Sequence, residues 1–267
     1  MISGLEWFYY VFIVIGLFVC VFLVLPKITK KYGMDKQSDM FYSILALIAI
    51  GLGIGGAILF QFIYDAIKYG FDFPDGYNPG MTFLGGLITG TATFIIGMRY
   101  FAKPETKAQF WIILRAFAPC VLIAHAFGRI GCFFGGCCYG EEIHGFPGMI
   151  APDHSIAANA LNGGLAVEVI PTQLIEAIFL FGMFFICYFL FMDKSLIIYL
   201  FSYGIFRFVL EFFRGDDEAR GVITVLSPSQ FICIGLIIAG GILLWFDINK
   251  GMFKKYIPPE KPAETGI

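Results

Sequence analysis

Charged residues are scarce in this sequence. Asp, Glu, Lys and Arg make up only 14% of the 267 residues, whereas 58% are hydrophobic and 18% are aromatic, and the mean hydropathy is +0.80. A water-soluble fold cannot cover that much apolar surface, so the composition excludes an ordinary soluble globular domain. Such a chain is stable where its exterior faces hydrocarbon, and there the backbone must satisfy its own hydrogen bonds.

The long apolar runs predict membrane-spanning helices. Most runs are close to the roughly 20 residues that a bilayer core requires. The fourth run, which Arg115 and Pro119 interrupt, has the weakest pattern. We therefore predict an all-α integral membrane protein with seven transmembrane helices, forming a single polytopic membrane domain over residues 1–267. The predicted spans are residues 5–25, 42–64, 81–98, 110–125, 172–192, 196–213 and 230–246.

The lysines predict the orientation of the chain. Lysines follow the first, third, fifth and seventh predicted spans, with Lys194 alone after the fifth, and only Lys68 falls on the opposite side. Because basic residues favour the cytoplasmic side of a membrane, we expect the N-terminus outside and the C-terminus in the cytoplasm. The first span lacks a basic leading region and a small-residue cleavage site, so we expect it to be a retained helix and not a signal peptide.

The arginines are distributed differently, since all except Arg99 lie in or beside the outward halves of predicted spans. An ionisable group inside a membrane costs about 2.5–3.5 kcal/mol even on the gentler insertion scale, so it normally faces a protein interior or a wet cavity. In the sixth span one helical face carries Tyr203, Arg207, Glu211 and Arg214, and Glu211 can pair with both arginines. A structural ion pair that fixes helix packing is the alternative to a functional site, but two arginines favour the functional interpretation.

A second concentration of unusual residues lies in the segment 125–140. It holds five glycines, which free the backbone for close approach, and it carries Arg129, whose planar guanidinium suits a phosphate. Non-helical backbone at membrane depth is tolerated where it lines a polar cavity. We therefore predict that residues 126–170 form an outward loop region that provides a pocket wall and, over its last roughly thirty residues, a mobile lid or a partner-docking arm.

Three cysteines of this segment, Cys132, Cys137 and Cys138, cluster in polar surroundings beside Arg129. Three interpretations remain open for them: a disulfide that pins the pocket wall, compact packing of small residues, or reactive thiols. The reactive roles are covalent carrier, redox centre and metal ligand. With His125, His144 and His154 nearby, zinc is an open alternative, but the spacing matches no standard zinc-ligand pattern, so no metal-site residues are assigned. The other four cysteines lie singly in apolar spans, where a cysteine behaves as a small hydrophobic residue.

Taken together, these elements resemble the prolipoprotein diacylglyceryl transferase family. The resemblance runs from the third span to the seventh. It rests on Gly128-Arg129-Ile130-Gly131 with Tyr139-Gly140, on Pro171-Thr172-Gln173-Leu174 with Glu176, on Tyr203-Gly204 through Arg207, Glu211, Arg214 and Asp216, and on Ser227-Pro228-Ser229-Gln230. It implies a multi-pass, seven-helix protein of the bacterial cytoplasmic (inner) membrane with an outward N-terminus, in agreement with the lysines.

The resemblance also implies an activity. The family moves the diacylglyceryl group of phosphatidylglycerol to the lipobox cysteine of an exported prolipoprotein, in the first step of lipoprotein maturation. Arg129 and Arg207 would then hold the phosphate, and Glu211 would orient them. The implied partners are phosphatidylglycerol and the signal peptide of the preprotein, with no cofactor and no nucleic acid. The residues expected to bind substrate are Gly128, Gly131, Tyr139, Gly140, Gln173, Glu176, Tyr203, Arg214 and Asp216.

The sequence differs from the family pattern at several positions, which suggests a diverged, cysteine-rich subgroup. Leu84 stands where the family has a histidine that is often assigned as the base. His125 is a candidate replacement, because it lies one helical turn before Arg129 and an imidazole titrates near neutral pH, although a packing role suits it as well. The alternative functions are a lipid transferase with a different acceptor and a non-transferase that exchanges disulfides or binds lipid.

Overall fold

The computed structural model describes residues 6–70, 72–73, 82–216, 226–251 and 253. This part of the chain is mostly helical, and six of its helices are long and apolar enough to cross a membrane, which confirms the predicted class of an all-α membrane protein. The predicted span 81–98 coincides with the helix Phe83–Tyr100, which is not among those six. The six are Trp7–Lys31, Lys36–Ile67, Phe110–Gly135, Thr172–Leu190, Met192–Phe213 and Pro228–Lys250.

Ten α-helices are present in the described residues, two of them extended by π-helical turns. A π-helical turn over Val19–Val24 joins the first two into one span, and a second π-helical turn, Ile186–Leu190, extends α8. The helices are α1 (Glu6–Phe18), α2 (Leu25–Lys31), α3 (Lys36–Tyr69), α4 (Phe83–Tyr100), α5 (Pro104–Ala108), α6 (Phe110–Gly135), α7 (Ile156–Leu161), α8 (Thr172–Phe185), α9 (Ser195–Leu210) and α10 (Pro228–Lys250).

The chain groups into two compact units, Thr29–Ile113 and the remainder, Met1–Ile28 with Leu114–Ile267. In the first of these units α3 and α4 pack through small residues. A Cβ atom added to Gly85 would lie 2.8 Å from the carbonyl oxygen of Gly56, so only glycine permits this approach. The side chain of Asp35 accepts a hydrogen bond from the Ser38 backbone and begins α3 as its N-cap.

The other unit contains α1 and α6 to α10. A Cβ atom on Gly204 of α9 would lie 3.2 Å from the carbonyl oxygen of Cys233 on α10, so these helices approach closely. Ser227 and Gln230 begin α10 with a reciprocal capping box. The Gln230 side chain also donates to the Phe208 carbonyl oxygen at 3.4 Å and so ties the start of α10 to the end of α9.

Helix α6 runs unbroken from Phe110 to Gly135. The fourth predicted span therefore ends ten residues later than predicted, and residues 126–135 are helical, whereas a loop region was predicted to begin at residue 126. The two interruptions of its pattern are compensated from elsewhere. Nε of Arg115 lies 3.0 Å from Oδ1 of Asp193, which neutralises the buried charge. Pro119 has no N–H to donate to the carbonyl of Arg115 four residues earlier. The hydroxyl of Ser195 donates to that carbonyl instead, at 3.0 Å.

The segment between α6 and α8 is folded. Strands β1 (Met149–Ala151) and β2 (Val167–Val169) pair antiparallel, and α7 lies between them in sequence. Tyr139, Ala157, Ala158, Val167 and Val169 form a small buried cluster under this hairpin. The predicted lid or docking arm therefore has a hydrophobic core of its own, whereas its movement and its partner stay predictions.

Candidate active site

Glu176 of α8 is the centre of a buried polar cluster. Its side chain is only 2% exposed, and its Oε1 atom lies 3.1 Å from Nε of Arg129, 3.6 Å from Nε2 of His125 and 4.0 Å from Nε of Arg207. The Tyr203 hydroxyl donates to the same oxygen at 3.1 Å. Side chains from α6 and α9 thus converge on one carboxylate of α8, and the two predicted arginines share a site.

Arg129 is held in place through one end of its guanidinium group. Its Nε atom faces Glu176 and also donates to Nε2 of His125, at 3.3 Å. Neither Nη group hydrogen bonds to any residue in the part of the chain that the structure describes, and the side chain is 13% exposed. An arginine arranged in this way can present its terminal N–H groups to a ligand anion without leaving its carboxylate.

Because His125 accepts a hydrogen bond at Nε2, its imidazole is neutral in this arrangement, with the proton on Nδ1. Its ring also packs edge-on against Tyr203, with centroids 5.3 Å apart. His125 and Arg129 are one helical turn apart on α6, as the sequence predicted. A neutral imidazole beside an anion-binding arginine can accept a proton.

A second carboxylate, Glu211, lies at the C-terminal end of α9. Its Oε2 atom lies 2.6 Å from Nη1 of Arg207 and 4.0 Å from Nη1 of Arg214, which confirms the predicted pairing with both arginines. Arg214 also pairs with Asp216 through two hydrogen bonds. Burial alone would lower the pKa of Arg214, but the hydrogen bond to Asp216 and nearby negative charge raise its pKa above the usual value, so Arg214 stays charged.

Several residues predicted to bind substrate contact the backbone or the small buried cluster near this site. Gly140 sits between two other chain segments, and a Cβ atom there would meet the carbonyl oxygens of Ile170 at 2.6 Å and Phe213 at 2.8 Å. Gln173 donates through Nε2 to the Cys137 carbonyl oxygen at 2.7 Å. Tyr139 is buried under the hairpin. Their contact with substrate stays a prediction.

The two glycines that flank Arg129 have different surroundings. A Cβ atom on Gly131 would lie 3.0 Å from the carbonyl oxygen of Tyr9, so this glycine allows α1 to pack against α6. A Cβ atom on Gly128 would have no neighbour within 4 Å. Open space therefore lies beside Gly128, as a substrate-binding position requires.

All seven cysteines of the chain are free thiols, so the structure does not support the disulfide interpretation of Cys132, Cys137 and Cys138, one of the three left open above. Their sulfur atoms nevertheless lie within 4.8 Å of one another. The charges of Arg129 and Arg214 both act on Cys138, which indicates that the three cysteines lie close to the polar site. The interpretations that remain for these three cysteines are compact packing and chemical reactivity.

The sequence alone did not reveal the central place of Glu176. An acid within an apolar span is itself a signal of a functional or paired position, and this signal could have found it. Residue 81, with which the third predicted span begins, and residues 217–225, which precede α10, lie outside the described residues.

Comparison with known proteins adds a second line of evidence. The family model described as prolipoprotein diacylglyceryl transferase matches residues 4–246. The chain is 32% identical to phosphatidylglycerol–prolipoprotein diacylglyceryl transferase 2 of Clostridium perfringens, over 93% of each protein. It is also 32% identical to the phosphatidylglycerol–prolipoprotein diacylglyceryl transferase of Clostridium tetani, over 89% of this chain and 91% of that protein. The protein of the same name from Acinetobacter baumannii is 29% identical, over 81% of this chain and 79% of that protein.

Proposed function

Because the chain belongs to the prolipoprotein diacylglyceryl transferase family, we propose that it transfers the diacylglyceryl group of phosphatidylglycerol to a cysteine thiol of an exported preprotein. In this reaction the cysteine sulfur forms a bond to the glyceryl carbon that carries the phosphodiester. The bond between that carbon and its oxygen breaks, and glycerol phosphate leaves with the electron pair. The thiol proton passes to a base.

The observation that carries the proposal is the arrangement of Arg129. Glu176 anchors its Nε atom and leaves both Nη groups without a partner among the described residues. Arg207 approaches the same carboxylate from α9. Two buried guanidinium groups from separate helices can bind a phosphodiester and stabilise the negative charge that develops on the leaving phosphate, a preorganised electrostatic effect worth several kcal/mol.

His125 is the proposed base. Its Nε2 atom lies within 3.6 Å of both Arg129 Nε and Glu176 Oε1, so it sits where an acceptor cysteine would approach the phosphate. To accept the thiol proton at Nε2, His125 would give up its hydrogen bond from Arg129 Nε, and Glu176 would then stabilise the imidazolium. In this proposal Glu176 positions Arg129 in the resting site and offsets the charge of His125 during the reaction.

We also propose the topology predicted from the lysines: seven spans in the bacterial inner membrane, with the N-terminus outside and the C-terminus in the cytoplasm. Two contacts support a common side for corresponding helix ends. Nζ of Lys194, before α9, lies 3.1 Å from Oδ2 of Asp247, near the end of α10. At the other ends of α6 and α9, Gly140 pairs with Arg214. The polar site would then lie near the outer membrane surface, where exported preproteins arrive.

Mass spectrometry tests the proposed activity directly. Purified protein is incubated in phosphatidylglycerol vesicles with a lipobox peptide, and the peptide is analysed for diacylglyceryl attached through a thioether. We expect this product together with released glycerol phosphate. A peptide with serine in place of the lipobox cysteine and vesicles of phosphatidylcholine alone are the controls. Absence of the thioether product from protein that is folded and monodisperse would overturn the proposal.

A further inference from the structure

Three thiols meet at the C-terminal end of α6. The sulfur atoms of Cys132, Cys137 and Cys138 all lie within 4.8 Å of one another, and each cysteine is partly exposed. The transfer reaction proposed above assigns no role to them. Three sulfur atoms at such distances from one another, none of them in a disulfide, form a set of soft ligands.

The helix end explains why the thiols meet. The N–H of Cys137 donates to the Cys132 carbonyl oxygen and the N–H of Gly136 donates to that of Phe133, both at 3.2 Å. These two bonds, with Gly136 at a φ of 72°, form a Schellman C-cap. This motif brings the residue after the left-handed glycine beside the residue three positions before the helix end. Here those two residues are Cys137 and Cys132, so their side chains become neighbours.

The third thiol is brought in by an unusual backbone conformation. Cys138 has a φ of 61°, in the left-handed region that residues other than glycine rarely adopt. The adjoining carbonyl groups are fixed from α8: Thr172 Oγ1 donates to the Cys138 carbonyl oxygen at 2.6 Å, and Gln173 Nε2 donates to that of Cys137 at 2.7 Å. Side-chain hydrogen bonds from another helix thus hold the turn in the conformation that gathers the sulfur atoms.

We propose that Cys132, Cys137 and Cys138 bind one thiophilic d10 cation of the Zn²⁺ class through three thiolates. A metal–sulfur distance of about 2.3 Å places three such sulfur atoms about 4 Å apart, so small side-chain rotations are enough to close the site. Among the described residues, no histidine, aspartate or glutamate joins the cluster. A tetrahedral ion would therefore keep one coordination position for water or another ligand.

Metal binding at this position requires thiolates, because a thiol must lose its proton to become a ligand. Proton release therefore accompanies metal uptake.

Cadmium is a suitable probe, because its bonds to thiolates absorb in the near ultraviolet. Reduced, metal-free protein in detergent is titrated with Cd²⁺ under anaerobic conditions, and the bound cadmium is counted by elemental analysis. We expect one Cd²⁺ per chain, thiolate-to-metal absorption and release of protons. Replacing the three cysteines together with serine should abolish all three signals, whereas Cys20→Ala, a part-buried cysteine on the same scaffold, should leave them unchanged.

A measurement on the unmodified protein guards against a variant that fails to fold. Alkylation by iodoacetamide is mapped by mass spectrometry of the peptide that contains residues 132–138, with and without Cd²⁺. Protection of all three cysteines by one equivalent of Cd²⁺ supports the site. Equal alkylation with and without the metal, or an absence of thiolate-to-metal absorption after Cd²⁺ is added to the reduced protein, would overturn the proposal. Because both assays measure metal binding, their outcome does not depend on the transferase activity.

Discussion

Nε of Arg129 on α6 lies 3.1 Å from Oε1 of Glu176 on α8, and the exposed fractions of the two side chains are 13% and 2%. A buried ion pair of this kind is costly to break, because removal of one partner leaves the other charge without compensation. Here the pair also fixes how Arg129 presents its terminal N–H groups. Glu176 is therefore the positioning residue for the proposed phosphate contact, and Arg129 is the contact itself.

Replacement of Glu176 separates these two roles. Glu176→Gln keeps the size of the side chain but removes its charge, so Arg129 would lose its anchor without creating a cavity. We expect transfer to fall at least 10-fold, because a misplaced guanidinium stabilises the leaving phosphate less well. Initial rates in phosphatidylglycerol vesicles, together with thermal unfolding in detergent, measure both effects.

Tyr203→Phe provides the matched control for that experiment. It removes one hydrogen bond to the same oxygen of Glu176 and leaves the ion pair with Arg129 intact. A loss of about 0.5–1.5 kcal/mol in unfolding free energy, with transfer reduced only slightly, is the expected result. Equal loss of transfer in Tyr203→Phe and Glu176→Gln would argue against a special role for the ion pair.

The two glycines beside Arg129 predict opposite effects of one added methyl group. Gly131→Ala would place a Cβ atom 3.0 Å from the backbone oxygen of Tyr9, and backbone cannot rotate away as a side chain can. We expect this variant to be destabilised by about 1–3 kcal/mol. Gly128→Ala meets nothing within 4 Å and should be neutral or more stable by up to about 1 kcal/mol.

Thermal unfolding of the two glycine variants in the same detergent provides the comparison. Transfer kinetics add a functional test at Gly128, where larger side chains would enter the space proposed for substrate. Gly128→Leu should therefore raise KM for phosphatidylglycerol while the protein remains folded. If Gly128→Leu is as active as the wild type, the open space beside Gly128 is not a substrate position.

Pro119 and Ser195 form a pair that a double-mutant cycle can test. Ser195 Oγ donates to the Arg115 carbonyl oxygen, to which Pro119, four residues later, cannot donate because it lacks an N–H. Ser195→Ala should cost about 1–3 kcal/mol of unfolding free energy in the wild type. In a Pro119→Ala background the restored N–H replaces the hydroxyl, so the same change should cost much less. Similar costs in the two backgrounds would show that the proline does not create the need for Ser195.

The sequence predicted those parts of the site that depend on local spacing. Arg207, Glu211 and Arg214 are separated by four and three residues, so their pairing follows from the geometry of one helix. The capping box at Ser227 is likewise a local signal, since its partner Gln230 is three residues away. Local patterns of this kind need no knowledge of the tertiary structure.

Long-range contacts explain what the sequence did not predict. Glu176 is 47 residues from Arg129, and only the packing of α8 against its neighbours brings them together. Asp193, which lies just before α9, compensates the charge of Arg115. For this reason α6 continues through Arg115, where the charge interrupts the apolar pattern of the sequence. The glycines of residues 128–136 suggested an open loop, but Gly131 serves close helix packing and Gly136 ends the helix.

The transfer rates of Arg129→Ala and Arg207→Ala test the central claim most directly. Both variants are assayed with phosphatidylglycerol vesicles and a lipobox peptide, beside Arg99→Ala, which removes an arginine of the unit Thr29–Ile113 whose side chain stacks on Tyr100. Loss of one preorganised donor to a developing anion typically costs about 10²–10³ in rate, so we expect losses of that size in the two site variants and none in Arg99→Ala. Wild-type turnover by folded Arg129→Ala and Arg207→Ala would contradict the account, because two buried guanidinium groups would then have no part in holding the phosphate.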